Sequence, residues 1–390
     1  MEIEHKGGLV SAHTIDRDSW KQVGLLLVTG YSCGYILSFS NLMLAPLGWT
    51  WGIISLILVA LFAAYSSWLL AGFHFINGQR FIRFRDLMGS LFGKEMFYLT
   101  WVSQILILLI TNMGFILLGG KALKEINAEF GGSSIRLQYF IIITGVSYFL
   151  FSIFVPTISS MGKWLIISSV LTFTYIAILL AVVIKDGLNS DRVKDYEIRG
   201  NNTSKMFDAL CAISAIVACN SAGIIPEIQS DTGLSEYLPE NITGPTWAKV
   251  LINAVVFTQS IISQHAFVAP VHEALDTKFL ILDKGIHSRA NIFRLLCLRA
   301  LLFTLNTLVA ASIPFMGDFV NLLGSFLLIP LTFVFPSMIF IKVRREAAKI
   351  EKIWHWAIIV LFSVLTVVTT IAAVRLIVNN ISEYHLFADT

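Results

Sequence analysis

The sequence predicts an all-α polytopic membrane protein, and three observations carry that expectation. The 390-residue chain is 56% hydrophobic and only 14% charged, with a mean hydropathy of +0.76, whereas soluble domains carry roughly a quarter charged residues. Ten apolar runs are each long enough for a helix to cross the hydrocarbon core, which takes about 20 residues. Tryptophans mark the ends of several runs, where amphipathic rings settle at the membrane–water boundary: Trp20, Trp49, Trp51, Trp101, Trp164, Trp247, Trp354 and Trp356. The net charge of +3 sits in loops and is too small to suggest a nucleic-acid partner.

Residues 1–21 form a polar cytoplasmic tail without a cleavable signal, because the first apolar run is too long and too late for one. The runs are 22–47, 51–73, 97–120, 138–156, 162–184, 206–226, 248–270, 295–314, 319–341 and 354–378. Backbone groups in lipid must be satisfied within their own segment, so each run is a helix and not an open strand. Residues 75–95 mix Arg80, Arg83 and Arg85 with Phe and Leu. They read either as an amphipathic segment lying on the cytoplasmic face or as a plain basic loop. Cys33, Cys211, Cys219 and Cys297 lie in or beside apolar runs with no CxxC spacing. They are expected to be small buried side chains, with no metal and no cofactor implied. Neither HExxH, GxSxG nor a Walker A motif occurs, which argues against an enzyme or an ATP-driven pump.

Two runs differ from the rest. The first contains Thr29-Gly30-Tyr31-Ser32-Cys33-Gly34-Tyr35, and the sixth contains Asn220-Ser221-Ala222-Gly223 followed by Pro226 and Glu227. Glycine and proline weaken helix continuity. Interrupted helices at corresponding positions of two halves point to a transporter site built on inverted repeats, whereas glycines alone can serve close helix packing.

Charge patterning exposes an inconsistency. Loops 75–95, 271–294 and 342–353 are basic and should be cytoplasmic, while 231–246 carries Asp231, Glu236 and Glu240, no Lys or Arg, and the sequon Asn241-Ile242-Thr243. With the N-terminus inside, ten spans put the last two basic loops outside and the acidic segment inside. One more span between Glu227 and Asp231 repairs all three. Loop 185–205 is then external despite five basic residues, which four acids and sequons at Asn201 and Asn202 accompany. The chain is therefore expected to be one span short, so that either the sixth run fails to cross, the preferred outcome, or everything after residue 247 inverts.

Several stretches carry a family resemblance: VTGYSCGYILSFSNLMLAPLGW, IRFRDLMGSLFG, TNMGFILLGGKALK, KDYEIRG, GIIPEIQ, SQHAFVAPVHEALDTK, PFMGDFVNLLGS, AAVRLIV and HLFAD, in order from about residue 17 to the C-terminus. They resemble the amino acid/auxin permease family and, within it, the plant proline transporters. The resemblance implies about eleven spans and the inverted-repeat fold of the amino acid–polyamine–organocation type. It also implies proton-coupled symport of proline and related zwitterions, such as betaine and GABA, at the plasma membrane. On that scheme 22–184 is the first repeat (spans 1–5), 185–205 an external loop, 206–341 the second repeat (spans 6 and 8–10), and 354–390 the last span and a short tail. The family has a basic loop and a seventh span after PEIQ. Here PEIQ runs directly into SDTGLSEYLPENITGP, so about 40 residues are absent by this comparison. A splice isoform or regulatory membrane protein that binds full-length transporters without transporting is the alternative function.

A zwitterion in a low-dielectric interior needs both charges answered. Broken helices do this with exposed N–H groups for the carboxylate and free carbonyls for the ammonium. Thr29, Gly30, Tyr31 and Ser32 are the expected carboxylate site, with Gly34 allowing close approach, and Asn220, Ser221 and Gly223 line the opposite side. Asn112, Gln259 and Ser263 are secondary candidates whose other reading is interhelical hydrogen bonding. Tyr31 and Tyr35 can meet an ammonium by cation–π attraction or simply pack. Glu227 and His265 are the proton-coupling candidates. A glutamate at the membrane edge and a packing histidine are the plainer readings of that pair.

Overall fold

The computed structural model describes residues 21, 24–25, 29, 43–76, 78–81, 83–131, 135–189, 201–219, 245–286, 288–313, 322, 324–380 and 386–387. Ten α-helices account for most of them: α1 Gly48–Gly72, α2 Phe84–Phe92, α3 Lys94–Glu129, α4 Leu137–Phe154, α5 Gly162–Asn189, α6 Asn202–Cys219, α7 Thr246–Phe279, α8 Arg289–Ser312, α9 Phe335–Val343 and α10 Lys349–Asn380. Two π-helical stretches, Gly324–Leu328 and Pro330–Val334, lead into α9. Pro330 lacks an N–H, and its carbonyl accepts from the Phe335 N–H five residues on, the wide-turn pattern that accommodates such a residue.

Among the described residues, eight helical segments are long and apolar enough to cross a membrane. They correspond to eight of the ten runs. The other two, 22–47 and 206–226, lie partly outside the described residues, as do Gly30, Tyr31, Ser32, Gly34, Asn220, Ser221, Gly223 and Glu227. Helices α3 and α7 outrun the apolar runs 97–120 and 248–270 because hydropathy marks only the lipid-thick part of a helix, while backbone bonding continues into the polar ends. Their membrane-length windows are 61% and 67% buried, against 28% for α1 and α10, so α3 and α7 are central and α1 and α10 face lipid.

Paired contacts fix helix direction. Lys249 Nζ lies 2.7 Å from Glu129 at one end of the α3–α7 pair. Gln264 meets Asn112 at mid-length, and Arg83, just before α2, pairs with Glu273 at the far end. The two helices are therefore antiparallel. Helix α4 runs against α3, with Thr144 beside Gly119 and Ile141 beside Gly120, and α8 runs against α4, with Thr307 beside Gly145. A second group gathers α1, α6, α9, α10 and the π-helical stretches. Tyr65 and Phe62 of α1 meet His355 and Phe362 of α10, so these two are antiparallel. Arg375, near the end of α10, sits 4.2 Å over the Phe207 ring near the start of α6.

These pairings put the loops after α1, α7 and α9 on one face. Those are the three basic loops that the charge pattern expects on the cytoplasmic side, and their face is called inner below. Trp49, Trp51 and Trp247 are exposed at helix starts on the opposite face, and Trp68, Trp354 and Trp356 at the inner one. The direction of the helices alternates except once. Helix α6 starts outside and ends inside at Cys219, and α7 again starts outside, at Thr246. Residues 220–244, outside the described residues, join an inner end to an outer start. Helix α6 falls outside the eight membrane-length helices, and the described residues stop at Cys219 and resume at Pro245 on the two sides of the expected gap. Helix α6 stays packed against α10 and Gly324–Leu328, with Ala212, Ala215, Ile216 and Val217 buried and Ser214 Oγ 2.7 Å from Ser325 Oγ. The chain beyond residue 247 keeps its basic loops inside.

On the inner face the basic segment is more structured than a surface-lying helix. Phe75–Ile76 and Gln79–Arg80 pair as a short antiparallel hairpin, turned by Gly78 at φ +79°, a value glycine adopts without strain. Helix α2 turns Phe84, Leu87 and Met88 into the protein and packs on α3, so its apolar face meets helices and not lipid. Cys211 is buried as expected, whereas Cys297 is exposed on α8.

Candidate functional site

Helix α7 carries the largest set of buried polar side chains in the described bundle. Asn253, Gln259, Ser260, Ser263, Gln264, His265, His272 and Asp276 are all within 5% of full burial. Helix α3 presents Thr100, Ser103, Gln104, Thr111 and Asn112, and α5 presents Ser168, Ser169 and Thr172. On α3 these recur at three-, four- and seven-residue intervals, which places them on one helix face. In an apolar bundle such groups must bond to one another, since each unanswered one costs about 1–3 kcal/mol.

The bonds that form define a seam. Gln264 Nε2 donates to Asn112 Oδ1 at 2.6 Å. Gln259 Nε2 donates to Thr172 Oγ1 at 2.5 Å. Ser263 Oγ donates to the Thr29 carbonyl at a long 3.4 Å, bringing the first apolar run against α7. The Tyr148 hydroxyl of α4 lies 2.8 Å from both the Phe115 carbonyl and Ser260 Oγ. The seam is not fully satisfied. Among the described residues, Asn112 Nδ2, Gln264 Oε1, both amide atoms of Gln104, Thr29 Oγ1 and Ser168 Oγ have no hydrogen-bond partner. The Asn112–Gln264 pair thus leaves one donor and one acceptor, fully desolvated. An amide N–H suits a carboxylate and an amide oxygen suits an ammonium. Buried polar atoms left without partners call for an explanation, and a polar ligand or water supplies one.

Of the residues expected from sequence, Thr29, Asn112, Gln259 and Ser263 are brought together in this seam, and each of the last three also makes the interhelical bond that was its plainer reading. His265 is fully buried one residue from Gln264, its ring 5.4 Å from Phe151 and 5.6 Å from His272. Gln104, Gln264, Thr172 and Ser168 were not singled out from sequence, although Gln104 and Gln264 are also amides inside apolar runs. Among the described residues no group of three or more His, Cys, Asp or Glu could hold a metal.

Two other features lie elsewhere. A groove of about 410 Å³ between α4 and α8 is lined by Ile142, Val146, Phe149, Phe303 and Leu308. Gln138, Thr304 and Thr307 are its polar members, and no charged side chain lines it to answer a zwitterion. At the inner face, burial pushes the Asp86 carboxyl of α2 above its ordinary range and the nearby Glu273 adds to this, while Arg85 and Arg83 partly oppose the shift.

The sequence profile of the family described as transmembrane amino acid transporter protein matches residues 16–233 and 233–376. The chain is 28% identical to "GABA transporter 1" of Arabidopsis thaliana over 423 aligned positions, covering 93% of each chain. That alignment is longer than the 390-residue chain and so opens gaps in it. It is 23% identical to "Lysine histidine transporter-like 1" over 88% of this chain and 85% of the relative. It is 24% identical to "Amino acid permease 2" over 85% and 81%, both also from Arabidopsis thaliana.

Proposed function

Because this chain belongs to the transmembrane amino acid transporter family and is a multi-pass integral membrane protein, we propose that it is built as a proton-coupled symporter of small zwitterionic amino acids at the plasma membrane. GABA, proline and betaine are the first substrates to test. The observation that carries this reading is the α3–α5–α7 seam, where a buried amide donor and a buried amide acceptor stand open between Asn112 and Gln264. The substrate carboxylate takes the Asn112 Nδ2 donor together with backbone N–H groups near Thr29–Gly34. The ammonium takes Gln264 Oε1 and carbonyls near Asn220–Gly223, with Ser221 lining that side. Gln259 and Ser263 hold α5 and the first run in place around the ligand. Glu227 and His265 serve proton coupling. The GABA-type relative supports a small ω- or α-amino acid, and the narrower placement among proline transporters rests on the sequence resemblance alone.

A second reading concerns this chain as it stands, and the break in helix alternation favours it. Helices α6 and α7 both run inward, and the segment between them, with Glu227, Asp231, Glu236 and Glu240, is too acidic to cross lipid as a helix. The family match divides at residue 233 in the same segment. We infer that a span is missing after Gln229 and that this chain is a short form with impaired transport, able to act by associating with complete transporters. Uptake of labelled GABA and proline from acidic medium, in cells without endogenous uptake, tests both readings. The chain is compared with a version carrying an apolar helix of about 20 residues after Gln229. Saturable uptake by the extended version alone is expected. Equal uptake by the short chain overturns the missing-span reading, and none by either overturns the transport reading.

A further inference from the structure

Below the seam, α7 carries a second set of buried ionisable groups that substrate binding does not use. His265, His272 and Asp276 are all fully buried, and so is Arg299 of α8. Seven and eleven residues are about two and three full turns at 3.6 residues per turn, so the three α7 side chains fall on one face. They descend about 16 Å, at 1.5 Å per residue, from seam level toward the inner surface. The His265 and His272 ring centroids are 5.6 Å apart, close enough for one water to bridge the two rings. Phe151 and Phe303 wall the two imidazoles at 5.4 and 5.8 Å. One turn below His272, Arg299 grips Asp276 with two parallel bonds, Nη1 to Oδ1 at 3.1 Å and Nη2 to Oδ2 at 2.7 Å. Pro270 lies between the histidines and, lacking an N–H, deprives the Ala266 carbonyl of its usual intrahelical donor at this level.

Ionisable groups deep in a membrane bundle are costly to keep, and they mark ion and proton pathways when they lie in series. Two adjacent imidazolium ions repel, so the pair holds one proton at a time. Asp276 is the acid that faces His272 from one turn below, and its pairing with Arg299 keeps that end neutral until a proton arrives. The other charged groups that the packing elements bring to this end of α7 are Arg83, Arg85 and Asp86 at α2, with Arg83 on Glu273. Lys94 and Glu95 begin α3, Lys163 begins α5, and Arg289 and Arg294 begin α8. Helix α4 has no charged residue.

We propose that His265 and His272 are successive carriers of a proton path on α7 from the substrate seam to the inner face, with the Asp276–Arg299 pair as its electrostatic exit. At the hand-over an N–H bond of the His265 imidazolium breaks as a bridging water takes that proton, and one of the water's own O–H bonds breaks as a neutral His272 ring nitrogen takes another. The positive charge moves to His272 and the water is regenerated. Asp276 then attracts the His272 imidazolium away from the seam, and the proton leaves to inner water. This assignment rests on the transport reading above and adds His272, Asp276 and Arg299 to it.

The test uses the span-extended version of the chain in lipid vesicles, as parent, as His272→Gln and as Asp276→Asn/Arg299→Gln. The double variant removes both charges and strands neither. Uptake of labelled GABA is measured with and without an inward proton gradient, alongside exchange of labelled for unlabelled GABA at equal pH on both sides. Loss of at least about tenfold in gradient-driven uptake, within the usual range of coupling between linked sites, with exchange retained, supports the path. Gradient dependence equal to the parent's in both variants overturns it. Histidine NMR titration of the same vesicles reads the path without transport. Two imidazoles titrating as a coupled pair that His272→Gln uncouples support it, and two rings neutral from acid to neutral pH overturn it. Vesicles that neither take up nor exchange GABA while the coupled titration persists overturn the transport reading alone.

Discussion

Replacing Gly145 by alanine should destabilise the α4–α8 contact through a clash readable from the backbone. A Cβ at this position would lie 2.1 Å from Thr307 Oγ1, 2.9 Å from Cγ2 and 3.0 Å from Cβ, where ordinary contact begins at 3.4 Å. Rotating the Thr307 side chain exchanges one close atom for another, so no rotamer clears the space and the helices must separate. Overpacking of this kind costs about 1–3 kcal/mol, and separation also weakens neighbouring contacts worth ~0.1–0.2 kcal/mol each. We expect Gly145→Ala to lose about 2 kcal/mol in all. Thr307→Ala removes Oγ1 and Cγ2 and leaves only the 3.0 Å contact, so Gly145→Ala/Thr307→Ala should regain at least about 1 kcal/mol through the coupling expected of touching residues. Thermal melts of fluorescently tagged protein, followed by size-exclusion chromatography in one detergent, measure the series. A Gly145→Ala protein that melts with the parent, or a double variant no better than Gly145→Ala, would refute the close-packing argument.

Three further outcomes are expected. Burial raises the folded-state affinity of Asp86 for its proton, so the favourable share of that group is complete below the ordinary carboxylate range and is lost as pH rises through the raised value. Asp86→Asn should therefore melt above the parent near neutral pH, with the gap closing as pH falls toward about 4, and a constant gap across that window would count against the assignment. Tyr148→Phe removes the hydroxyl shared by the Phe115 carbonyl and Ser260 and should cost about 1–3 kcal/mol in the same melts, whereas a neutral effect would mean that water replaces it. With α6 and α7 both running inward, Asn241 should be glycosylated and Lys284→Cys should react with an impermeant maleimide only after permeabilisation. Labelling of Lys284→Cys in intact cells would reverse α7.

Much of the helical framework was legible because lipid imposes a length and a composition on each crossing. The ends were less so: the apolar run 97–120 stops at Gly120, yet helix α3 continues to Glu129. The hairpin at Phe75–Arg80 went unread although Asn77-Gly78 is a strong two-residue turn signal, because the mix of Phe, Leu and Arg around it suggested an amphipathic surface segment or a basic loop. At the site, Asn112, Gln259, Ser263 and His265 stood out as polar residues inside apolar runs. Their partners Gln264 and Thr172 did not, since a hydrogen bond between helices depends on rotation and register that no single run encodes. Asp276 and Arg299 are the clearest omission. Asp276 falls past the run 248–270 and Arg299 near the start of 295–314, so each looks like an interfacial charge, and the packing of α7 on α8 buries both. The charge pattern led to the expectation of one absent span after Gln229, and that segment lies outside the described residues.

The claim that the α3–α7 seam binds the substrate is tested most directly by GABA uptake in the span-extended chain carrying Asn112→Leu/Gln264→Leu. Replacing both partners of a buried hydrogen bond with apolar groups of similar shape is nearly neutral for folding, so the double variant removes the open donor and acceptor while leaving the bundle intact. Uptake should fall by at least about tenfold, the equivalent of roughly 1.4 kcal/mol, with surface delivery and melting temperature unchanged. Uptake at the parent rate in that variant would place the substrate elsewhere in the bundle.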